Sequence, residues 1–230
     1  MGKENSDSES TAMMNDFKVA IQHLGRSDKI LRGLIRKVGP CLLKTKEYRS
    51  PFEALLRSIV YQQLNGTAAA TILGRVKALY PRRRFPRPED VLATPDEKLR
   101  GAGLSRAKVA AIKDLAQKTL AGIVPSSRAL LCLSDTEIVE RLTLVRGIGP
   151  WTVEMLLIFY LGRPDVWPVT DYGVRKGFAR SYSLANLPSP KELNGLGEKW
   201  RPHRTTAAWY FWRALELPGQ KKGSKSRKKK

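Results

Sequence analysis

An aspartate within a basic, helix-forming stretch is the first candidate for chemistry in this sequence. Asp171 lies in the segment WPVTDYGVR, which continues as a helical pattern. A carboxylate that is held in place can stabilise positive charge as it develops in a transition state, or can orient an attacking water. Aspartate is also a preferred residue at a helix N-terminus, where its side chain accepts backbone amide hydrogens. The two roles are compatible, because capping would fix the carboxylate in position.

A glycine hairpin precedes Asp171 and predicts an anion-binding helix N-terminus. Gly147-Ile148-Gly149 allows a tight turn and a close approach to another surface. Pro150 then suits the first position of a helix, where no amide hydrogen is needed. Amides at such an end can bind an anionic oxygen, such as that of a DNA phosphate. The glycines could also form an ordinary tight turn. A dinucleotide-binding loop is excluded, because no strand precedes the pair and no third glycine follows at the required spacing.

Helical periodicity dominates the chain, and alternating strand patterns are almost absent. The segment Ser50-Pro51-Phe52-Glu53 has the residue order of a capping box with a proline in the first turn. Asn65-Gly66 predicts a break between two helices. The prediction is an all-α fold with helices at 16–24, 29–38, 51–62, 67–79, 88–93, 95–101, 105–120, 134–142, 151–161, from 171 onward, 189–199 and 202–215.

The balance of charges predicts a polyanionic partner. The 230 residues include 42 Lys and Arg against 21 Asp and Glu, a formal net charge of +21. The last ten residues, KKGSKSRKKK, carry seven of the positive charges, so the rest of the chain still carries +14. The alternative is that these charges only keep the surface soluble. No apolar run approaches the roughly 18 residues of a membrane span, and the N-terminal segment lacks the apolar core of a secretory signal.

Three motifs, taken in order, resemble the helix-hairpin-helix DNA glycosylases. The segment LVRGIGPWT is similar to the hairpin signature of this HhH-GPD superfamily, and WPVTDYGVR is similar to the segment that ends in its catalytic aspartate. The segment IVYQQLNGTAAATI, at 59–72, is similar to the 3-methyladenine branch. The resemblance covers residues 15–217. It implies a two-lobed helical fold, with the active cleft between the lobes and without the N-terminal β domain of some relatives.

The resemblance also implies a division of the chain. One lobe would contain residues 65–145, and the other would contain the helices near both termini together with 146–217. The polar segment 1–14 and the basic tail 218–230 are expected to be disordered, because they lack the apolar residues of a core.

The activity implied by the resemblance is hydrolysis of the N-glycosidic bond of alkylated purines, such as 3-methyladenine and 7-methylguanine, in double-stranded DNA, which starts base excision repair. Asp171 would be the catalytic residue and would stabilise the oxocarbenium ion on the deoxyribose. Bifunctional glycosylase-lyases of this superfamily have a nucleophilic lysine at the position of Trp151. We therefore expect a monofunctional enzyme that leaves an abasic site. The alternatives are a glycosylase for hypoxanthine, ethenoadenine, uracil or 8-oxoguanine, and a non-catalytic helix-hairpin-helix DNA-binding protein.

The residues expected to bind DNA fall near the hairpin, near Asp171 and in an earlier turn. In the family the turn after the 51–62 helix enters the minor groove, and Leu64 matches its apolar wedge; the alternative is that Leu64 packs in the core. The predicted DNA-binding residues are Gln63, Leu64, Asn65, Gly66, Arg146, Gly147, Gly149, Arg175 and Lys176. Arg180 is a further candidate for phosphate contact, although each of these cations could simply be solvated.

Aromatic side chains are candidates for a base pocket, because alkylated purines are cationic and electron-rich rings attract cations. The predicted pocket residues are Trp151, Tyr61, His203 and Trp209, with Tyr210 and Trp212 as further aromatic candidates. Aromatic residues at helical spacing more often belong to a core, so core packing is the alternative for all of them.

No cofactor is expected to be required. Relatives that carry an iron–sulfur cluster hold it with four cysteines, whereas this chain has only Cys41 and Cys132, and no His/Cys cluster suggests zinc. The resemblance implies that backbone carbonyls of the hairpin could hold Na⁺ or K⁺, and the matching residues are Thr143, Val145 and Ile148. The expected partner is double-stranded DNA containing damaged bases, with no membrane association. The protein is expected to be a monomer, cytoplasmic and nucleoid-associated in a bacterium or nuclear in a eukaryote.

Overall fold

Helices make up the regular structure of this protein. The computed structural model describes residues 17–218, so the predicted disordered segments at 1–14 and after Pro218 lie outside the described residues. Residues 17–27 form α1. The following helices are α2 (Lys29–Val38), α3 (Pro51–Tyr61), α4 (Gly66–Ala78), α5 (Pro88–Ala93), α6 (Asp96–Gly101), α7 (Arg106–Leu120), α8 (Ser127–Leu131), α9 (Asp135–Leu142), α10 (Pro150–Phe159), α11 (Tyr172–Ser181), α12 (Pro190–Gly197) and α13 (Arg204–Ala214), with a 3₁₀ turn at Glu198–Trp200. No strand occurs between residues 17 and 218, which confirms the predicted all-α class.

Polar N-caps decide where most of the helices begin. The hydroxyl of Ser50 accepts the Glu53 amide at 3.2 Å at the start of α3. The return bond expected of a capping box is not made there, because the Glu53 carboxylate accepts the Arg49 amide and pairs with Arg57 instead. That detail of the prediction was wrong. Complete capping boxes open α9 and α12.

One short helix is missing from the sequence prediction. α8 has five residues and begins after Ser126, whose hydroxyl accepts the Ala129 amide. A helix of little more than one turn gives no periodic apolar pattern, so the sequence contains too little signal to predict it. The other predicted boundaries mostly differ from the observed ones by one or two residues, which is the usual uncertainty at fraying helix ends.

The described residues form two compact units. The middle unit is residues 44–166, and the terminal unit is 17–43 with 167–218. These boundaries differ from the predicted lobes, because 65–145 is only part of the middle unit. The reason is that α3 packs against α7 and α4, and α10 packs against α9 and α3. The helices that flank the predicted lobe therefore bury their apolar faces within the middle unit.

α11 and α13 pack closely in the terminal unit. Gly177 on α11 makes this possible, because a Cβ at that position would lie 1.9 Å from the backbone oxygen of Phe211 on α13. Around the contact, the rings of Phe178 and Phe211 pack edge to face with centroids 5.4 Å apart, and Trp200 lies 5.3 Å from Phe211. These three rings are almost fully buried. The close approach brings the start of α11 against the last described helix.

α7 is the helix on which much of the middle unit packs. It contacts α3, α5 and α6, and Ile112 and Leu115 on its inner face are fully buried. Side chains on the other face of α7 can contact loops. None of the helices between residues 17 and 218 has the length and apolar character to cross a bilayer.

Candidate active site and DNA-binding elements

Asp171 is fixed in one orientation at the N-terminus of α11. Its Oδ1 accepts the Val174 amide at 2.7 Å, which is the N-cap bond, and the indole Nε1–H of Trp212 at 2.8 Å. The residue is 9% exposed. A helix N-terminus also carries partial positive charge, which favours a carboxylate there. The structure therefore contains the capping role that the sequence allowed, and the same two bonds fix the orientation of the carboxylate.

A glycine makes the contact between Asp171 and Trp212 possible. A Cβ at Gly173 would lie 2.9 Å from Cδ1 and 3.1 Å from Nε1 of the Trp212 ring, and 3.1 Å from Oδ1 of Asp171. Gly177 follows four residues later, so both glycines face α13. Sequence reasoning named Trp212 only as a pocket aromatic and missed this bond. The sequence feature that could have predicted this bond is the pair Gly173 and Gly177, one helical turn apart and just after Asp171.

The glycine hairpin opens α10 as predicted. Gly147 has a φ of 77°, and Gly149 is the N-cap of α10, with Pro150 in the first helical position. The position of a Gly147 Cβ lies 3.5 Å from the side chain of Ala111 on α7. The amides of Gly147 and Gly149 donate no hydrogen bond to any residue between 17 and 218. Two such amides at a helix N-terminus form a site suited to an anionic oxygen.

α7 holds the chain that leads into the hairpin. Asp114 accepts the Arg146 amide at 2.7 Å through Oδ2 and is paired with Lys118 one turn later. The Lys118 ammonium also donates to the Leu144 carbonyl at 2.6 Å. Burial raises the pKa of the Asp114 carboxyl, but the Arg146 amide and the Lys118 ammonium lower it further, so its pKa lies below the ordinary value. Sequence reasoning missed this support, because a lysine four residues after an aspartate is typical of a solvated helix face.

The predicted wedge turn lies between α3 and α4. Gln63 has a φ of 58°, a left-handed conformation that is uncommon outside glycine. The Asn65 side chain accepts the Ala68 amide at 2.8 Å and caps α4. Leu64 is 39% exposed, which argues against the alternative that it closes the core of the helix pair.

Two side chains that the sequence analysis missed fasten this turn within the middle unit. The Gln62 amide Nε2 donates to the Gly147 carbonyl at 2.9 Å. The Lys108 ammonium donates to the carbonyls of Val60 and Gln62 at 2.7 and 2.8 Å, which satisfies oxygens left unpaired at the end of α3. Burial lowers the pKa of Lys108. No local pattern predicts either contact, because the partners are 46 to 85 residues apart.

The predicted phosphate-binding cations differ in their surroundings. Arg146 is exposed beside the hairpin, and the Lys176 ammonium lies 5.5 Å from the Tyr172 ring centroid on the surface of α11. Arg175 donates Nε–H to a backbone carbonyl at 2.9 Å. The Arg180 guanidinium binds three carbonyls that follow α13. Arg180 thus caps a helix C-terminus, whereas its phosphate contact stays a prediction.

Two of the predicted pocket aromatics belong to the middle unit. Trp151 stands in the first turn of α10 and is 44% exposed, and Tyr61 ends α3 and is 41% exposed. Large aromatic rings usually find cover in a folded chain, so this exposure argues against core packing for both.

The other two predicted pocket aromatics belong to the terminal unit. His203 is the N-cap residue of α13, and its ring packs edge to face with His23 at 5.3 Å. Trp209 is buried and packs edge to face with Tyr210 at 5.0 Å. The Tyr210 hydroxyl donates to a backbone carbonyl after α2, so Tyr210 serves the packing of the terminal unit.

The predicted monovalent cation site consists of backbone oxygens around the hairpin. The Val145 carbonyl accepts the Ile148 amide at 3.0 Å. A carbonyl oxygen has two lone pairs, so this turn bond leaves one that could face an ion. Among residues 17–218, no group of three or more His, Cys, Asp or Glu side chains could hold a metal. The monovalent ion stays a prediction.

The order of these features matches a known family. Residues 56–203, which run from α3 to the start of α13, match the HhH-GPD superfamily base excision DNA repair protein. The chain belongs to this superfamily. The match includes the wedge turn, the hairpin and Asp171, which confirms the resemblance inferred from the sequence motifs.

Individual relatives agree with this assignment. Over 196 residues the chain is 37% identical to DNA-3-methyladenine glycosylase 1 of Schizosaccharomyces pombe, covering 85% of this chain and 86% of the relative. Among solved structures, S. pombe 3-methyladenine DNA glycosylase (Mag1) in complex with abasic-DNA has a TM-score of 0.77 and 36% identity, covering 88% of this chain and 99% of that one. DNA-3-methyladenine glycosidase from Bacillus halodurans also has a TM-score of 0.77, with 35% identity over 85% of this chain and 88% of that one. The similarity therefore extends over nearly the whole of these relatives.

Proposed function

We propose that this protein is a DNA glycosylase that removes alkylated purines, of the 3-methyladenine and 7-methylguanine type, from double-stranded DNA. The observation that carries the proposal is the carboxylate of Asp171, oriented by the Val174 amide and the Trp212 indole. The Val174 bond alone would cap α11, so the second bond to the same oxygen, from the Trp212 indole, favours a role for the carboxylate beyond capping. Membership of the base excision repair superfamily and similarity to named 3-methyladenine glycosylases support the same conclusion.

Asp171 would act on the sugar rather than on the base. Cleavage of the N-glycosidic bond leaves positive charge on the deoxyribose, and a preoriented anion stabilises that charge without reorganising. A water then adds to the anomeric carbon and loses a proton to solvent, and the products are the neutral free base and an abasic site. Alkylated purines are cationic and leave readily, so a site with one carboxylate and no strong general acid is sufficient for this chemistry.

The middle unit would grip the DNA backbone and open the duplex. The Gly147 and Gly149 amides offer two donors to one phosphate at the start of α10. The exposed Leu64 side chain would enter the stack and occupy the space of the extruded base. A monovalent cation held by the carbonyls of Thr143, Val145 and Ile148 would add positive charge to this phosphate site. We also propose that the protein acts as a monomer.

The proposed reaction lacks a lyase step. Trp151 occupies the position where bifunctional relatives have a nucleophilic lysine, and an indole forms no Schiff base. Incubating enzyme and lesion duplex with borohydride should give no covalent protein–DNA band on a denaturing gel, and the strand should stay intact until alkali is added. A trapped band would mean that another amine attacks the sugar, and Lys176, five residues after Asp171, would be tested first.

A release assay tests the substrate class. Duplexes containing 3-methyladenine, 7-methylguanine, hypoxanthine, ethenoadenine, uracil or 8-oxoguanine would be incubated with the protein, and the free bases identified by mass spectrometry. We expect the two alkylated purines to be released fastest. Preferential release of a neutral lesion would reject the alkylpurine assignment, and release of none would reject the glycosylase proposal.

A further inference from the structure

A side-chain bond joins the wedge turn to the phosphate-binding hairpin. The Gln62 amide at the end of α3 donates to the Gly147 carbonyl at 2.9 Å, although the two residues are 85 positions apart. Gln62 directly precedes Gln63 and Leu64, and the amide of Gly147 is one of the two hairpin amides that donate to no residue between 17 and 218. The bond therefore connects the proposed phosphate contact to the proposed intercalating residue in a single step.

We propose that Gln62 is a positioning residue that sets the wedge turn relative to the hairpin, so that Leu64 enters the duplex beside the bound phosphate. This inference rests on the proposed function. A wedge that separates stacked bases experiences a restoring force from the duplex, and its turn must be held against that force. The hairpin is the natural anchor, because its amides are fixed to the DNA backbone when the wedge acts.

The backbone of the turn supports this role. Gln63 adopts a left-handed conformation at φ 58°, which a non-glycine residue keeps only where its surroundings enforce it. The Lys108 ammonium supplies one restraint by binding the Val60 and Gln62 carbonyls. The Gln62 side chain supplies the restraint that reaches the hairpin. Because Lys108, Ala111 and Asp114 all lie on α7, both ends of the linkage share one rigid helix.

A double-mutant cycle on DNA binding tests this inference. The measured quantity is the ratio of affinities for a duplex with a tetrahydrofuran abasic analogue and for the same undamaged duplex. Leu64→Ala should lower this ratio, because the wedge fills the gap at the abasic position. Gln62→Leu, which removes the donor, should lower it by about tenfold, within the range of coupling between residues in contact. In the Leu64→Ala background, Gln62→Leu should change the ratio by less than about twofold, because the side chain that it positions is gone.

Two further variants separate positioning from charge and folding. Gln62→Glu places a carboxylate against the Gly147 carbonyl and should also lower the ratio. Gln117→Glu adds the same charge at an exposed position of α7 in the same unit, and it should leave the ratio unchanged. Undamaged-duplex affinity and the thermal unfolding midpoint should be close to wild type for Gln62→Leu, which would show that the hairpin and fold are intact.

Either of two results would overturn the inference: a normal ratio in Gln62→Leu, or effects of Gln62→Leu and Leu64→Ala that multiply independently. Binding to the abasic analogue requires no bond cleavage. Failure of the wild-type protein to release alkylated purines would therefore reject the proposed function, and it would leave this binding result to be judged by itself.

Discussion

Asp171 makes two hydrogen bonds that restrict the orientation of its carboxylate. One oxygen of its carboxylate accepts the bond that starts α11, and it also accepts the indole hydrogen of Trp212. Each bond restricts rotation of the side chain, so the charge is already oriented before any ligand arrives. This arrangement is what electrostatic stabilisation of a sugar cation requires, because a rotating carboxylate would have to be reordered during the reaction.

Removing the charge while keeping the cap tests the role of this residue. Asp171→Asn retains an oxygen for the Val174 amide and the Trp212 indole, and asparagine is a good N-cap. We expect single-turnover excision of 7-methylguanine to fall by at least about 100-fold, the scale of removing one preoriented electrostatic group. Affinity for an abasic duplex should be retained. Excision close to the wild-type rate would remove Asp171 from catalysis.

The Trp212 indole predicts a second effect on the same rate. Trp212→Phe keeps an aromatic ring without the indole donor, and Gly173→Ala places a Cβ 2.9 Å from Cδ1 of the indole and displaces it. Both should lower the excision rate constant by about tenfold, equivalent to the removal of one hydrogen bond to a charged group. The Michaelis constant should change little.

A matched glycine provides the control for this pair. Gly195 on α12 has no atom within 4 Å of the position of its Cβ, so Gly195→Ala should leave the rate unchanged. Full activity in both Trp212→Phe and Gly173→Ala would mean that the N-cap bond alone orients Asp171.

At the scale of elements, a buried acidic residue joins three segments of the terminal unit. Asp28 caps α2 through Oδ1, while its Oδ2 accepts the Tyr182 hydroxyl and the Lys199 ammonium. Burial raises the pKa of this carboxyl, but the bonds from Lys199, Tyr182 and the Leu31 amide outweigh burial and hold its pKa below the ordinary value of an aspartate. Asp28 thus connects the start of α2, the end of α11 and the 3₁₀ turn, and its ion pair with Lys199 is present only while it is ionised.

The pH dependence of unfolding follows from this shift. A carboxyl whose pKa is lower in the folded state stabilises the fold above its unfolded value, and the contribution disappears as the pH falls through the folded value. The thermal midpoint of the wild type should therefore fall as the pH drops below about 4, the ordinary value of an aspartate. Asp28→Asn, which keeps the cap but has no charge, should start lower at pH 6 and show a shallower fall. Parallel curves for the two proteins would mean that Asp28 contributes nothing to the acid transition.

The sequence predicted where the helices lie better than it predicted which side chains contact one another. Serine caps, the Asn65-Gly66 break and apolar periodicity predicted the limits of α3, α4, α7 and α9 to within about two residues. The bonds that shape the candidate site were not predictable in this way. Gln62 and Gly147 are 85 residues apart, and Asp171 and Trp212 are 41 residues apart. Such pairs depend on how the helices pack. The residues next to a glutamine or a tryptophan in the sequence do not indicate which distant residue it will contact.

At the scale of the whole molecule, the excess of positive charge is the dominant feature. The formal net charge of +21 includes seven positive charges in the last ten residues. Charges of this kind bind DNA by releasing counterions, so they raise affinity for every sequence and make it sensitive to salt. We expect these charges to bring the protein onto DNA, and we propose that the hairpin, the wedge turn and the Asp171 carboxylate act at the lesion itself.

Shortening the chain separates these two contributions. Deletion of residues 219–230 should weaken binding to undamaged duplex and reduce the slope of log affinity against log salt by about 0.9 for each DNA phosphate that the tail neutralises. The excision rate of bound substrate should stay the same. A full-length variant with the tail cations replaced by glutamine should behave like the deletion, which would attribute the effect to charge rather than length. Loss of excision in either variant would show that the tail takes part in the reaction.

The close crossing at Gly177 has a consequence for interpreting related sequences. Because a Cβ there would lie 1.9 Å from the Phe211 oxygen, any other residue must move α13 away from α11 and take Trp212 with it. The aspartate would remain in the sequence, but it would no longer have the indole that orients it. A homologue with the aspartate and a bulkier residue six positions later would therefore resemble an enzyme by its catalytic motif and be a poor one. Among related sequences, glycines two and six residues after the aspartate should therefore accompany glycosylase activity more closely than the aspartate alone.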